Sequence, residues 1–253
     1  MRKNIAAGNW KMNLDLDAGK KLASEVINMT ADEVSNDAEV ILIPPFLHIT
    51  SIKQLAGSSK NVFVGAQNCS NEASGAFTGE ISVEMLKSVG VDYVVVGHSE
   101  RREIFGEDDA LLAAKTKAVL AGGLKPIFCC GEKLESRESD QHFAINKEQI
   151  EKGIFGLSKE EILKVVIAYE PVWAIGTGVT ASSDQAQEMH AYIRGLIADK
   201  YDQETADSIS ILYGGSVKPG NAEELFSQPD VDGGLVGGAS LKSRDFVDII
   251  KAF

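Results

Sequence analysis

Two kinds of apolar patterning alternate along the chain from end to end. Eight short runs are apolar at nearly every position: "NIAAGN" from Asn4, "EVILIP" from Glu39, "NVFVGAQ" from Asn61, "DYVVVGH" from Asp92, "KPIFCCGE" from Lys125, "KVVIAYE" from Lys164, "SISILYGG" from Ser208 and "VDGGLVGG" from Val231. A continuous run, as opposed to strict alternation, suits a strand of a parallel sheet that is covered on both faces. Between the runs the apolar positions recur at helical spacing. Asp108 to Gly123 ends in a glycine pair, and the segment from Ser182 begins with two serines that suit an N-cap and then places Met189, Ile193 and Ile197 on one face. "SRDFVDIIKAF" closes the chain as a last amphipathic piece. Eight strand–helix alternations in 253 residues predict one (β/α)8 barrel spanning 1–253 as a single domain. A doubly wound open sheet is the competing architecture, though its strands are usually fewer.

A barrel of this kind places its chemistry at the C-terminal ends of the strands. The polar residues that finish each run therefore carry the interest: Asn9 and Lys11, His98, Glu170, then "YGGS" and "GGAS". Charge narrows what they act on. A formal net charge of −12 argues against nucleic acid or an anionic membrane as partner, and leaves an anionic ligand to be held by local geometry. The three cysteines, two of them adjacent, do not form a disulfide framework and point to a reducing, cytoplasmic compartment. No apolar h-region follows the charged N-terminus, and no segment reaches the roughly 20 apolar residues that span a bilayer.

Glu170 ends the sixth run and is followed at once by Pro171, Trp173 and a loop with Gly176 and Gly178. It is either a solvated strand end or a partly desolvated carboxylate poised as a general base. His98 stands at the entry to a Ser- and Glu-containing turn, where a helix N-terminus disfavours an imidazolium; the alternative is a structural histidine. His48, His142 and His190 have no partner spacing and read as packed or solvated. Lys11 is either a solvated stem or a fixed cation in the mouth. The pairs Gly214–Gly215 and Gly237–Gly238, with Ser216, end consecutive strands and suit backbone N–H binding of a phosphate. "GTGVTA" (Gly176 to Ala181) matches a dinucleotide fingerprint but does not directly follow a strand, and no metal-binding spacing is present.

Six segments in order resemble the triosephosphate isomerase family: "GNWKMN" (Gly8 to Asn13), "AQNCSNEASGAFTGE" (Ala66 to Glu80), "VVVGHSERR" (Val94 to Arg102), "AYEPVWAIGTG" (Ala168 to Gly178), "ILYGGSV" (Ile211 to Val217) and "LVGGASLK" (Leu235 to Lys242). The resemblance implies a cofactor-free, homodimeric barrel that interconverts dihydroxyacetone phosphate and D-glyceraldehyde 3-phosphate, a step of glycolysis and gluconeogenesis. It places Glu170 on the family's base, His98 on its electrophile, Asn9 and Lys11 on its substrate-positioning pair, and Glu100 on the acidic residue after the catalytic histidine. Gly176, Ser216, Gly237 and Gly238 fall on its phosphate site, and 171–178 on its mobile loop. A base paired with a neutral imidazole, and a closing loop, are features for which this family is itself the standard illustration. Loop 67–80, around Phe77 and Thr78, falls on the segment that reaches the partner subunit. Cys130 and Gly234 depart from the family pattern, at positions where an aliphatic and an aromatic residue are common. Other readings are a different phosphosugar enzyme, such as a Schiff-base aldolase, or a non-catalytic interaction barrel. The first needs a buried strand lysine at the mouth, and Lys125 and Lys164 sit at strand beginnings; the second needs Glu170, His98 or Lys11 to be missing.

Overall fold

The computed structural model describes residues 2–57, 59–175 and 180–253. Eight parallel strands close into a barrel in sequence order: β1 (Ile5–Asn9), β2 (Glu39–Ile43), β3 (Val62–Ala66), β4 (Tyr93–Val96), β5 (Lys125–Cys130), β6 (Val166–Tyr169), β7 (Ile211–Tyr213) and β8 (Gly233–Val236). Closure is made by β8 against β1, with Ile5 opposite Gly233 and Gly8 opposite Val236.

Both faces of each strand are apolar because each meets a different core. Ile5, Ala7, Ile41, Ile43, Val95, Ile127, Ala168 and Leu212 fill the barrel interior. Their neighbours Ala6, Val40, Leu42, Val94, Val96, Phe128 and Ile167 pack outward against the helices. That double burial is the physical origin of the uninterrupted runs.

The helical ring is α1 (Leu16–Glu33), α2 (Ile49–Ala56), α3 (Val83–Ser88), α4 (Ser99–Ile104), α5 (Asp109–Ala121), α6 (Leu134–Glu138), α7 (His142–Ile154), α8 (Lys159–Ile162), α9 (Ser183–Lys200), α10 (Gln203–Ala206), α11 (Pro219–Phe226) and α12 (Ser243–Ile250). Short polar side chains start several of them. Asp15 accepts from Ala18 N, Asp108 from Leu111 N, and Ser182 forms a reciprocal capping box with Gln185. The serine start expected at 182–183 is therefore where α9 begins.

The segment from Gln67 to Ser82 crosses between β3 and α3 without regular structure, and leaves Phe77 46% exposed. The two departures from the family pattern both lie among packed side chains. A side chain on Gly234 would begin 3.3 Å from the ring of Phe226 on α11, which stacks on Phe253. Cys130 is buried beside Tyr169, its partner in the β5–β6 register. All three cysteines are free and buried, and burial pushes the Cys69 thiol up to about 12. Among the described residues, no helix is long and apolar enough to cross a membrane.

Candidate active site

The C-terminal ends of the strands surround one cavity of about 460 Å³, whose lining includes Asn9, Lys11, His98, Ser216, Gly237 and Gly238; a Cβ on Gly237 would lie 3.7 Å from Lys11 Cε. Six of the nine site residues that the family resemblance implies thus share one space, together with Gly214 and Gly215. Glu100 stands at its edge and Glu170 lies behind His98. Gly176 lies outside the described residues.

Asn9 is the last residue of β1, and its side-chain oxygen accepts the backbone N–H of Lys11 at 3.0 Å. Lys11 adopts a left-handed backbone, φ 52°, shared among the described non-glycine residues only with Leu14 and Asp140. Such a conformation costs about 1–3 kcal/mol and persists only where the surroundings hold it. Besides Asn9, the holder is Gln67 at the end of β3, whose amide donates to the Lys11 carbonyl at 2.8 Å and to Ile43 O at 3.2 Å. The ammonium of Lys11 is then placed 2.6 Å from Glu100.

Gly97 carries φ 77°, and a Cβ there would sit 2.9 Å from Leu112, so the turn out of β4 requires glycine. That turn delivers His98 to the N-cap of α4. Its Nδ1 accepts the backbone N–H of Glu100 at 3.2 Å. An accepting Nδ1 carries no proton, so the imidazole is neutral and presents Nε2–H to the site. The Glu100 carboxylate lies 3.5 Å from the same Nδ1, longer than the backbone contact, which therefore fixes the tautomer.

His98 Nε2–H meets the carboxylate of Glu170 at 3.0 Å. Glu170 follows β6 and is only 1% exposed. Its other oxygen, Oε2, accepts the Ser99 backbone N–H at 2.9 Å, while the Ser99 hydroxyl donates at 3.4 Å to Oε1, the oxygen that faces His98. Space for it is made by an absent side chain: a Cβ on Gly214 would lie 2.7 Å from its Cγ. Burial and the nearby negative charge of Glu170 push the Cys129 thiol well up, which keeps a neighbouring nucleophile silent.

Sequence reasoning missed three residues that hold this arrangement: Gln67, Ser99 and Glu132. Glu132, just after β5, is as buried as Glu170 and accepts from Tyr169 OH and Trp173 Nε1, both at 2.9 Å, and from Asn146 at 3.0 Å. Its backbone oxygen also accepts Val172 N, so it fixes the chain directly after Glu170. Burial and then the Glu132 charge raise the Tyr169 phenol, leaving it a permanent donor. The only signal in the sequence was a glutamate following an apolar run, and nothing there names its partners. The remaining histidines are packed: His48, His142 and His190 are at most 5% exposed.

A barrel with these side chains at its mouth has close relatives. The triosephosphate isomerase family model matches residues 4–253. A protein of Cytophaga hutchinsonii named triosephosphate isomerase is 56% identical over 253 residues, covering all of both chains. One of Phocaeicola vulgatus with the same name is 53% identical over the same full span. A third, from Chloroherpeton thalassium, is 49% identical over 252 residues, covering 100% of this chain and 99% of its own. With the family model and full-length relatives of this identity resting on the same closed barrel, the chain belongs to the triosephosphate isomerase family.

Proposed function

We propose that this chain, acting as a single catalytic barrel, interconverts dihydroxyacetone phosphate and D-glyceraldehyde 3-phosphate by proton transfer through an enediolate, in glycolysis and gluconeogenesis. The observation that carries this reading is the contact of Glu170 with His98 Nε2–H at 3.0 Å, beside a cavity that His98 lines together with Lys11, Ser216, Gly237 and Gly238. A carboxylate base and a neutral hydrogen-bond donor meet where a carbonyl oxygen can replace the carboxylate as acceptor.

The carbon-bound proton beside a carbonyl is weakly acidic, so its removal requires the oxyanion that forms to be stabilised. Glu170 takes that proton and returns it to the adjacent carbon. His98 Nε2–H and the Lys11 ammonium donate to the two oxygens, and Asn9 keeps Lys11 in its left-handed pose. Glu100 balances the Lys11 charge from the cavity edge. The phosphate, remote from the reacting carbons, supplies binding energy that orients the substrate. Ser216, Gly237 and Gly238 receive it: a Cβ on Gly238 would meet no atom within 4 Å, leaving its backbone open to a ligand. The reaction moves a proton within one molecule and leaves the oxidation level unchanged, so the scheme calls for no cofactor. Buried free thiols support a cytoplasmic setting.

Activity belongs to a homodimer in this reading. Exposed apolar side chains gather after the first four strands: Met12 at 94%, Leu47 at 87%, Phe77 at 46%, Ile104 at 72% and Phe105 at 64%. Apolar exposure at this density marks an interaction surface. Loop 67–80 carries Phe77 and Thr78, and its first residue, Gln67, holds the backbone of Lys11. Pairing through that loop would stiffen the site.

A coupled assay of triose phosphate isomerisation on the purified chain tests the activity; absence of turnover in a folded dimer would overturn it. Thr78→Arg places an unpaired charge in the proposed interface, at a cost of several kcal/mol. Sedimentation and turnover should fall together. A monomer with full turnover would remove the dimer from the mechanism, and a wild-type dimer would remove this loop from the interface.

A further inference from the structure

Part of the cavity lining is left unused by the isomerisation scheme. It comprises Lys218 and Pro219, at the entry to α11, and Lys242 and Asp245, at the start of α12. Three lysines therefore line one cleft of an acidic protein. Two of them have carboxylate partners: Lys11 meets Glu100 at 2.6 Å, and Lys242 meets Asp245 at 3.7 Å. Lys218 is exposed and makes no ion pair among the described residues. None of Met1, Ser58 and 176–179, the remaining positions, is a carboxylate.

The backbone that carries Lys218 is fixed. Asn221 accepts the Lys218 N–H at 2.7 Å and donates to the Ser216 carbonyl at 3.0 Å, so one side chain clamps both residues. A lysine with no ion-pair partner among the described residues thus has its backbone anchored two residues from a residue of the proposed phosphate site.

At physiological salt, charges farther than about 8 Å are largely screened. An incoming dianion is repelled by the −12 of the whole molecule only at a distance, and inside the cleft it responds to the charges on the walls. Lys11 and Lys242 each have a carboxylate beside them, so Lys218 is the lysine of the lining whose charge has no such neighbour among the described residues.

We infer that Lys218 is the entry cation of the cleft: it draws the phosphate of the substrate into the mouth without touching the reacting carbons. This inference rests on the isomerase reading for its substrate, a phosphate dianion. Lys218 acts on occupancy, so its removal lowers kcat/KM whether encounter or chemistry limits that ratio. It has no part in the proton transfer, so kcat stays.

The test compares Lys218→Gln and Lys218→Glu with Lys164→Gln, which removes the same charge just ahead of β6, at the opposite end of the barrel. Turnover is measured from low ionic strength to about 0.5 M salt, where screening acts within a few ångströms. At low salt kcat/KM should fall about threefold for Gln and about tenfold for Glu, with kcat unchanged, and the curves should converge at high salt. Lys164→Gln should follow the wild type. Calorimetry with inorganic phosphate should show the same order of weakening and the same convergence, with no need for turnover. Losses that persist at high salt, an equal loss in Lys164→Gln, or unchanged phosphate binding would overturn the entry role. Failure of the wild type to isomerise triose phosphates would overturn the isomerase reading alone, because phosphate binding would still report on Lys218.

Discussion

The ends of β5 and β6 each deliver one buried glutamate, and the proposed mechanism gives the two opposite purposes. Glu132 and Glu170 are both 1% exposed. Glu132 accepts three hydrogen bonds from Tyr169, Trp173 and Asn146, all from side chains that are themselves packed. Glu170 is held by one backbone N–H and by His98, with the Ser99 hydroxyl at a longer 3.4 Å. A charge satisfied by three fixed donors has nowhere better to go. A charge whose partners include Nε2–H beside an open cavity can exchange that partner for a substrate. Burial alone thus does not mark a reactive carboxylate. What marks it is a partner that a ligand can replace.

The largest effect expected from breaking this comparison is on turnover. Glu170→Gln keeps the shape and the Ser99 contact but cannot take a proton, and kcat should fall by at least about 10²–10⁴ while phosphate-ligand affinity is retained. Steady-state kinetics with calorimetry on one preparation checks both. Wild-type kcat would remove Glu170 from the mechanism.

The same change of logic at β5 should show up as stability. Glu132→Ala removes the acceptor shared by buried Tyr169 and Asn146 and half-buried Trp173, and should destabilise the fold by about 3 kcal/mol. Denaturant unfolding measures it. Turnover should fall less than in Glu170→Gln, because only the position of Trp173 is disturbed. A larger loss of kcat than of stability would make Glu132 a partner in the chemistry.

His190 sharpens the contrast by way of pH. It packs edge-on against Tyr169, the donor to Glu132, and burial pushes its imidazole down to about 4. In the unfolded chain it titrates near 6.5, so between about 6.5 and 4 only the unfolded state binds the proton. Stability due to this residue is complete above that window and declines by up to about 3 kcal/mol as the pH falls through it. Unfolding curves of wild type and His190→Gln should show a shallower acid-side decline in the variant. Parallel declines would mean that another group sets the acid limit.

Much of this was legible in the sequence for identifiable reasons. Strands covered on both faces write continuous apolar runs, and all eight appear where the runs lie. Gly214 was visible as half of the pair that ends the seventh run, but that it makes room for Glu170, and that Gly97 is required before His98, were not. The gathering of Asn9, Lys11, His98, Ser216, Gly237 and Gly238 follows from barrel closure, because strand ends far apart in sequence share one mouth. Gln67, Ser99 and Glu132 were not legible. Each acts through a partner on another strand end, at a distance that only the closed barrel sets. Lys218 was hidden for the opposite reason, since its distinction is the absence of a partner that Lys11 and Lys242 have.

Solvent exchange at carbon tests the role of Glu170 most directly. A carboxylate that carries a proton between adjacent carbons exposes that proton to exchange with water during each turnover. With the substrate converted in deuterium oxide and the product examined by proton NMR, the wild type should place solvent deuterium on the carbon beside the carbonyl, and Glu170→Gln should lose this exchange in step with turnover. Undiminished exchange in Glu170→Gln would contradict the assignment and move the base to another residue of the cavity.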